Sequence, residues 1–548
     1  KFKKAAAKAA KPKGKLLPGR RAQQFFWYNV ARIYLGLQMY IEYYSINGIE
    51  YARIRNSVRK DGGVSHGKST TLGRVLDRKQ LIFKSREHGT YQYDPDTGER
   101  KNPPDDFCLK IVRKNAREQL IVDFGNTYFI DRYIDQLGLW SVFDAIGYGN
   151  PDSFKALLCY YILESRSNAH AKDWYEGSYA RIAYPKALLE SPRISDMLSA
   201  LGGEIVQRRF FETYIAYLKK STAEAGKGYV LIDSTGLPND IRLPITAVSN
   251  HNGEINNEVR LIYVVQRGTG MPIYMRYIPG NVVDVSTLLT TIAELKALKV
   301  DTKFAILDAG YLTLASIGIL LDQKISFLAR VKKNWSLYKE IVKNHRADLE
   351  CDENRHTFHG RFVYLKQVAY QLSEEHTLYC YLGLDDERRS NERRQLAKCA
   401  EEDELSQKTI GQRLQDMGLF MLVSSRRVAV KDLLPLYYTR QDIEQVFDIS
   451  KGYAKALPLC VQTVDTFRGH LLMVFCSTIV LRHLQQLLRS SPYSLDDFLT
   501  VMRNQKAKIY EDLVVPMEAT KKQNDFYKLA RIKSSVSLPR QSVINKGI

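Results

Sequence analysis

Two short apolar runs, each ending in an aspartate, constrain this chain more than any other feature. Tyr229-Val-Leu-Ile-Asp233 and Phe304-Ala-Ile-Leu-Asp308 read as buried strands. Carboxylates at the ends of buried strands can converge at one edge of a sheet, and a hard divalent cation needs oxygen ligands of that kind. The pattern has a second reading when taken alone, because an aspartate after an apolar run also serves as a helix cap or loop residue in many α/β proteins.

The runs sit in a telling order of elements. Two alternating stretches, 259–266 and 272–278, follow the first run and complete a three-stranded meander. A helical stretch over 285–298 leads to the second run; a helix near 313–321 and a strand, Ser326-Phe-Leu-Ala-Arg330, come next. Three strands followed by alternating helix and strand is the order of a ribonuclease-H-like α/β core. Between 334 and 417 β-like segments at 356–370 and 378–384 and a charged helical stretch at 386–414 interrupt it. Core character returns at Leu419-Phe-Met-Leu-Val-Ser424, and 431–455 reads as one helix.

The resulting plan is α/β: a ribonuclease-H-like core (226–333 and 418–490) interrupted by a β-rich insertion (334–417). An N-terminal α+β region (26–150) and a helical region (151–225) precede it, and a helical C-terminal region with a basic tail (491–548) follows. A basic tail over 1–25 opens the chain; its first 21 residues hold nine Lys or Arg and no acid, so it is expected to be disordered. It suits an arm along phosphates or, equally, a solubilising tail. No internal repeat is present.

On the 431–455 helix, Tyr437, Arg440, Glu444 and Lys451 are three, four and seven residues apart, so their side chains share one face. That face presents one acid flanked by cations and a phenol, the set that phosphodiester chemistry requires: metals bridge the attacking and leaving oxygens while cations hold the flanking backbone. For the helix alone, a solvated Arg440–Glu444 pair beside an apolar stripe of Leu436, Ile443 and Phe447 explains the pattern as well, and is worth only ~0.3–0.5 kcal/mol.

Tyr437-x2-Arg440-x3-Glu444-x6-Lys451 resembles the Y-R-E-K signature of bacterial insertion-sequence DDE transposases. Leu231-Ile-Asp233-Ser-Thr and Leu307-Asp308-Ala-Gly-Tyr311 look like that family's two catalytic-aspartate motifs, and Pro279-Gly-Asn281-x-x-Asp284 looks like the loop between them. The resemblance covers about 225–490, with four motifs in the expected order. Ala309 is a departure, standing where many relatives carry arginine. The resemblance implies that Asp233, Asp308 and Glu444 are the catalytic residues and hold two Mg²⁺ ions, with Mn²⁺ as a substitute, and that Arg440 and Lys451 hold DNA phosphates beside Tyr437. It implies strand cleavage and strand transfer at terminal inverted repeats by a homodimer acting on transposon ends and target DNA in the cytoplasm, near the nucleoid. The 136 residues between Asp308 and Glu444, against 75 between the aspartates, leave room for the insertion. The competing class is a catalytically silent DNA-binding protein descended from a transposase.

Composition agrees with this partner. A net charge of +21 over 548 residues favours a polyanion such as DNA or an acidic membrane surface. The most apolar stretches, 25–44 and 471–481, are broken by charge or too short to span a bilayer, and no secretory signal is expected. Seven cysteines without a CxxC pair suit reduced thiols. Gly62-Gly-Val-Ser-His-Gly67-Lys68-Ser69 satisfies a P-loop pattern, but the polar, alternating residues before it and Thr-Thr-Leu-Gly after it predict a hairpin. Cys351, His356 and His359 lack a fourth zinc ligand. Asp284 reads as a helix-start acid, and Trp335 and Tyr338 read as buried aromatics rather than a stacking platform.

Overall fold

The computed structural model describes residues 32–34, 37–46, 49–60, 63–85, 87–104, 120–222, 227–241, 243–251, 254–282, 284–402, 407–510, 513–535 and 537–539; the basic tail lies outside them. The chain divides into two compact units, 1–117 and 118–548.

The smaller unit is a seven-stranded sheet in sequence order, β1 (Arg32–Tyr34), β2 (Leu37–Ile46), β3 (Ile49–Lys60), β4 (Gly63–Asp77), β5 (Ile82–Ser85), β6 (Gly89–Tyr93) and β7 (Arg100–Lys101). Antiparallel pairing places Lys60 opposite Gly63. Gly63 to Ser69 of the P-loop pattern therefore form one arm of a hairpin, not a strand-to-helix loop; Gly62 lies outside the described residues. One face of this sheet carries a small core of Ala52, Leu72, Phe83, Tyr91 and Tyr93.

The larger unit begins with β8 (Leu120–Asp123), followed by α1 (Gly125–Gln136), α2 (Leu139–Asp144), α3 (Pro151–Leu163), α4 (Ser191–Leu201) and α5 (Glu204–Ser221). Residues 120–150, which the sequence groups with the N-terminal region, belong here. Pro151 suits the first position of α3, where its missing N–H would lack a partner anyway, and the Asn150 side chain accepts from the Ser153 N–H at 3.1 Å.

The main sheet follows. Its strands are β9 (Tyr229–Pro238), β10 (Ala247–His251), β11 (Glu254–Gln266), β12 (Pro272–Pro279), β13 (Phe304–Leu307), β14 (Ser326–Arg330), β15 (Arg355–Phe358), β16 (Arg361–Gln371), β17 (Thr377–Asp385) and β18 (Leu419–Ser424). The order is β10-β11-β9-β13-β14-β18-β17-β16-β15, with β12 also on β11. Only the β9–β13 and β13–β14 pairs are parallel. Strands buried on both faces read as unbroken apolar runs, which is why β13 is wholly apolar and every residue in it is buried. Helices α6 (Asp284–Ala297) and α7 (Leu314–Asp322) connect these strands, and α8 (Ser336–His345), α9 (Asp386–Glu402) and α10 (Gln407–Gln415) accompany β15–β17. β17 pairs with β18, Leu382 opposite Met421, so the strands of the 334–417 segment continue the main sheet.

After β18 come α11 (Val430–Tyr438), α12 (Gln441–Gly452), α13 (Val464–Leu488), α14 (Leu495–Arg503), β19 (Lys506–Ile509), β20 (Leu513–Pro516), α15 (Lys521–Leu529) and β21 (Leu538–Pro539). The C-terminal region is not purely helical: β19 pairs with β8, Ala507 opposite Val122, in a β21-β20-β19-β8 sheet. α13 is long and apolar enough to cross a membrane by length and composition, yet most of it is buried inside the protein. It packs against α3 and α4, and Gly469 lets it approach: a Cβ there would stand 1.8 Å from the Leu198 carbonyl oxygen.

Candidate active site

The sheet register brings the two aspartates together. Leu307 lies opposite Ile232 in the parallel β9–β13 pair, so the next residues, Asp308 and Asp233, are neighbours where β13 ends. Asp233 is 9% exposed. Burial pushes its carboxyl up to about 6, with the Asp308 charge adding to the effect; Arg440 and a 2.9 Å hydrogen bond from the Ser234 N–H oppose it.

The third group comes from the 431–455 segment, which is two helices and not one. The chain breaks at Thr439–Arg440, between α11 and α12. The Thr439 hydroxyl donates to the Leu436 carbonyl at 2.7 Å, a local bond that competes with the helical ladder, and the Arg440 N–H turns to the Tyr437 carbonyl, three residues back. Tyr437 thus lies in the last turn of α11 and Arg440 caps the next helix, while Glu444 and Lys451 lie on α12.

The break aims Arg440 into the sheet edge. Its Nη2 donates to Asp233 Oδ2 at 2.7 Å and its Nη1 to Asp308 Oδ1 at 2.6 Å; Glu444 Oε1 is 3.8 Å from Nη2. Burial acts to lower the Arg440 pKa, but the pull of Asp233 and Asp308 outweighs it, so the shift is upward and the guanidinium stays charged. All three carboxylates therefore surround one cation. Among the described residues no three acidic, histidine or cysteine groups stand grouped as metal ligands; here a guanidinium fills the space among the acids. The donor set still fits a hard divalent ion: it is all carboxylate oxygen, and the buried Asp233 beside Asp308 already takes a counter-cation.

Tyr437 and Lys451 flank this group. The Tyr437 hydroxyl is 3.4 Å from Arg440 Nη1, and burial raises its pKa. Lys451 Nζ donates to Thr235 Oγ1 at 2.6 Å. Burial lowers its pKa, with Glu258 and Asp448 opposing. Sequence reading did not single out Thr235, although it lies two residues beyond Asp233 and so on the same face of β9. Nor did it single out Arg260, whose Nη2 donates to Ser234 Oγ at 2.7 Å.

The remaining sequence candidates stay apart. Asp284 opens α6. Cys351 Sγ accepts from Asn354 Nδ2 at 3.0 Å, and His356 stands opposite Val363 in β15–β16. Tyr338 is buried in α8 and Trp335 caps that helix.

The sheet edge thus carries two aspartates, Asp233 buried and Asp308 partly exposed, with a third acid delivered by a later helix. Residues 225–480 match the family model of the transposase DDE domain. Among solved structures the chain is similar to a piggyBac transposase in a cryo-EM synaptic complex with hairpin DNA, at 13% identity over 69% of this chain and 70% of that one, with a TM-score of 0.34. No curated protein matches it.

Proposed function

We propose that the chain is a transposase that binds the terminal inverted repeats of its element and cuts and rejoins DNA strands, with Asp233, Asp308 and Glu444 as the catalytic acids. The reading rests on the convergence of these three carboxylates, from two strands and a distant helix, on the Arg440 guanidinium. The strand order β12-β11-β9-β13-β14 supports a ribonuclease-H-like core, with 334–417 as its insertion and 26–225 as the region that engages DNA ends.

Two Mg²⁺ or Mn²⁺ ions held by these acids would activate the attacking oxygen and stabilise the departing 3′-oxygen. The chain's own groups do the rest. Asp233 and Asp308 set the oxygens of the site on a rigid sheet edge, and Glu444 closes it from the exposed side. Arg440 neutralises the aspartates and would hold a strand phosphate where bound ions took over that charge. Lys451 leaves Thr235 to hold a second phosphate, and Tyr437 fixes the Arg440 rotamer. The enzyme works as a homodimer on transposon ends and target DNA, in the cytoplasm with the nucleoid.

Glu444→Gln tests the assignment. Mg²⁺-dependent cleavage of a supercoiled plasmid carrying the element's ends is expected to disappear, with end binding in a gel shift nearly intact. Retained cleavage removes Glu444 from the site; a wild type that binds the ends and never cuts them indicates a silent descendant.

A further inference from the structure

The smaller unit presents two unlike faces. Residues directly opposite in an antiparallel pair share a face, and Tyr43 opposite Ala52 and Phe83 opposite Tyr91 belong to the core side. The other face is built in cross-strand rows. One row runs Tyr44, Tyr51, Arg74, Lys84, Thr90 across β2 to β6. The next runs Glu42, Arg53, Thr71, and a third begins Tyr40, Arg55. Four cations thus share this face with one carboxylate.

Their arrangement is not that of a neutral solvated surface. Glu42 pairs with both Arg53 and Arg55, at 2.6 and 2.8 Å. Arg74 and Lys84 are exposed and directly opposite each other, and among the described residues neither has an ion-pair partner. Like charges facing each other across strands destabilise a sheet, so this pair carries a cost that an anion bridging both cations removes. Beside it Tyr44 and Tyr51 stack, ring centroids 5.9 Å apart, with Arg53 over the Tyr44 ring at 5.1 Å. Aromatic rings next to unpaired cations on an open sheet match the sugar-phosphate edge of a nucleic acid, where cations take phosphates and rings lie against sugars and bases.

We propose that this face of β2–β5, centred on Arg74 and Lys84 and flanked by Tyr44, Tyr51 and Arg53, is a sequence-independent docking surface for the DNA backbone. The proposal rests on the transposase reading for its partner. Its surface lies in a different unit from the catalytic acids.

The test uses the full chain and a fluorescein-labelled random-sequence duplex, followed by anisotropy across a salt series. Arg74→Glu/Lys84→Glu is expected to weaken binding on the order of ten-fold at low salt and to flatten the log–log salt slope by about 2, the signature of two lost phosphate contacts. Lys84→Glu alone is the structural control. It replaces repulsion with attraction to Arg74, so thermal stability holds or rises while DNA affinity falls, a combination that a purely structural role does not produce. Variants that bind as wild type, with an unchanged slope, overturn the proposal and leave the catalytic reading standing. So does a loss confined to phosphatidylserine vesicles, which assigns the face to a membrane. A wild-type chain that ignores the duplex overturns both.

Discussion

In the larger unit two cations, Arg440 and Lys455, stand in opposite surroundings. Arg440 lies at the sheet edge with Asp233 and Asp308 at hydrogen-bond distance. Lys455, just past α12, lies over the Tyr160 ring at 3.3 Å and near Tyr161 at 4.9 Å, and its Nζ has no hydrogen-bond partner. Burial acts to lower the first cation's pKa, and it is raised because the carboxylates overcome that desolvation. With the distant help of Glu164 alone, desolvation wins at the second and pushes it down to about 6. A buried charge survives where the fold supplies partners for it, as Asp233 and Asp308 do for Arg440 and as Asp442 does for the fully buried Arg482 at 2.6 Å. The Lys455 surroundings are the rings of Tyr160 and Tyr161, which offer the ammonium no carboxylate at hydrogen-bond distance among the described residues.

The largest expected effect breaks the first arrangement. Arg440→Gln leaves Asp233 and Asp308 facing each other without a counter-cation, and should cost about 3 kcal/mol in urea unfolding, the low end for a buried pair because Asp308 is partly exposed. Millimolar Mg²⁺ should restore part of that loss in the variant and change the wild type less. Equal responses to Mg²⁺ would show that Arg440 and the ion do not share a site.

A smaller effect of opposite sign sharpens the second. Lys455→Met keeps the stem on the tyrosines and removes the unpaired amine, so stability should rise by about 1 kcal/mol, a melting-temperature increase of about 1 °C in a unit of this size. The same group sets an effect in pH. Lys455 titrates near 6 in the folded chain, against an ordinary value of 10.5, so the unfolded chain binds more protons throughout that window. Wild-type stability should gain from this group as pH rises from about 6 toward 10.5. The Lys455→Met variant should lack that slope; an identical slope in both proteins would show that Lys455 is not the group responsible.

Much of the sheet edge that carries Asp233 and Asp308 was legible in the sequence because its strands are short, uniformly apolar and bounded. Ser326–Arg330 and Leu419–Ser424 are strands with those limits, and the order of β9, β11, β12, β13 and β14 follows from alternation and spacing. The break between α11 and α12 was not legible, because Thr439 interrupts the ladder through one hydroxyl bond while the apolar stripe of Leu436, Ile443 and Phe447 continues on both sides. β8 and β19 escaped for another reason: each is four residues long, and its partner lies at the far end of the larger unit's chain, so no turn announces the pairing. Arg440 itself was read as a phosphate ligand. Its place between two aspartates depends on the helix break, and spacing on a continuous helix could not show it.

The most direct measurement concerns the claim that the acids surrounding Arg440 are metal ligands. Asp308→Cys exchanges a hard oxygen for a thiolate, a poor ligand for Mg²⁺ and a better one for Mn²⁺. The account predicts that plasmid cleavage by this variant is lost with Mg²⁺ and returns with Mn²⁺, while the wild type works with both. Cleavage at the wild-type rate in Mg²⁺, or no recovery in Mn²⁺ by a folded variant that still binds DNA, would contradict it.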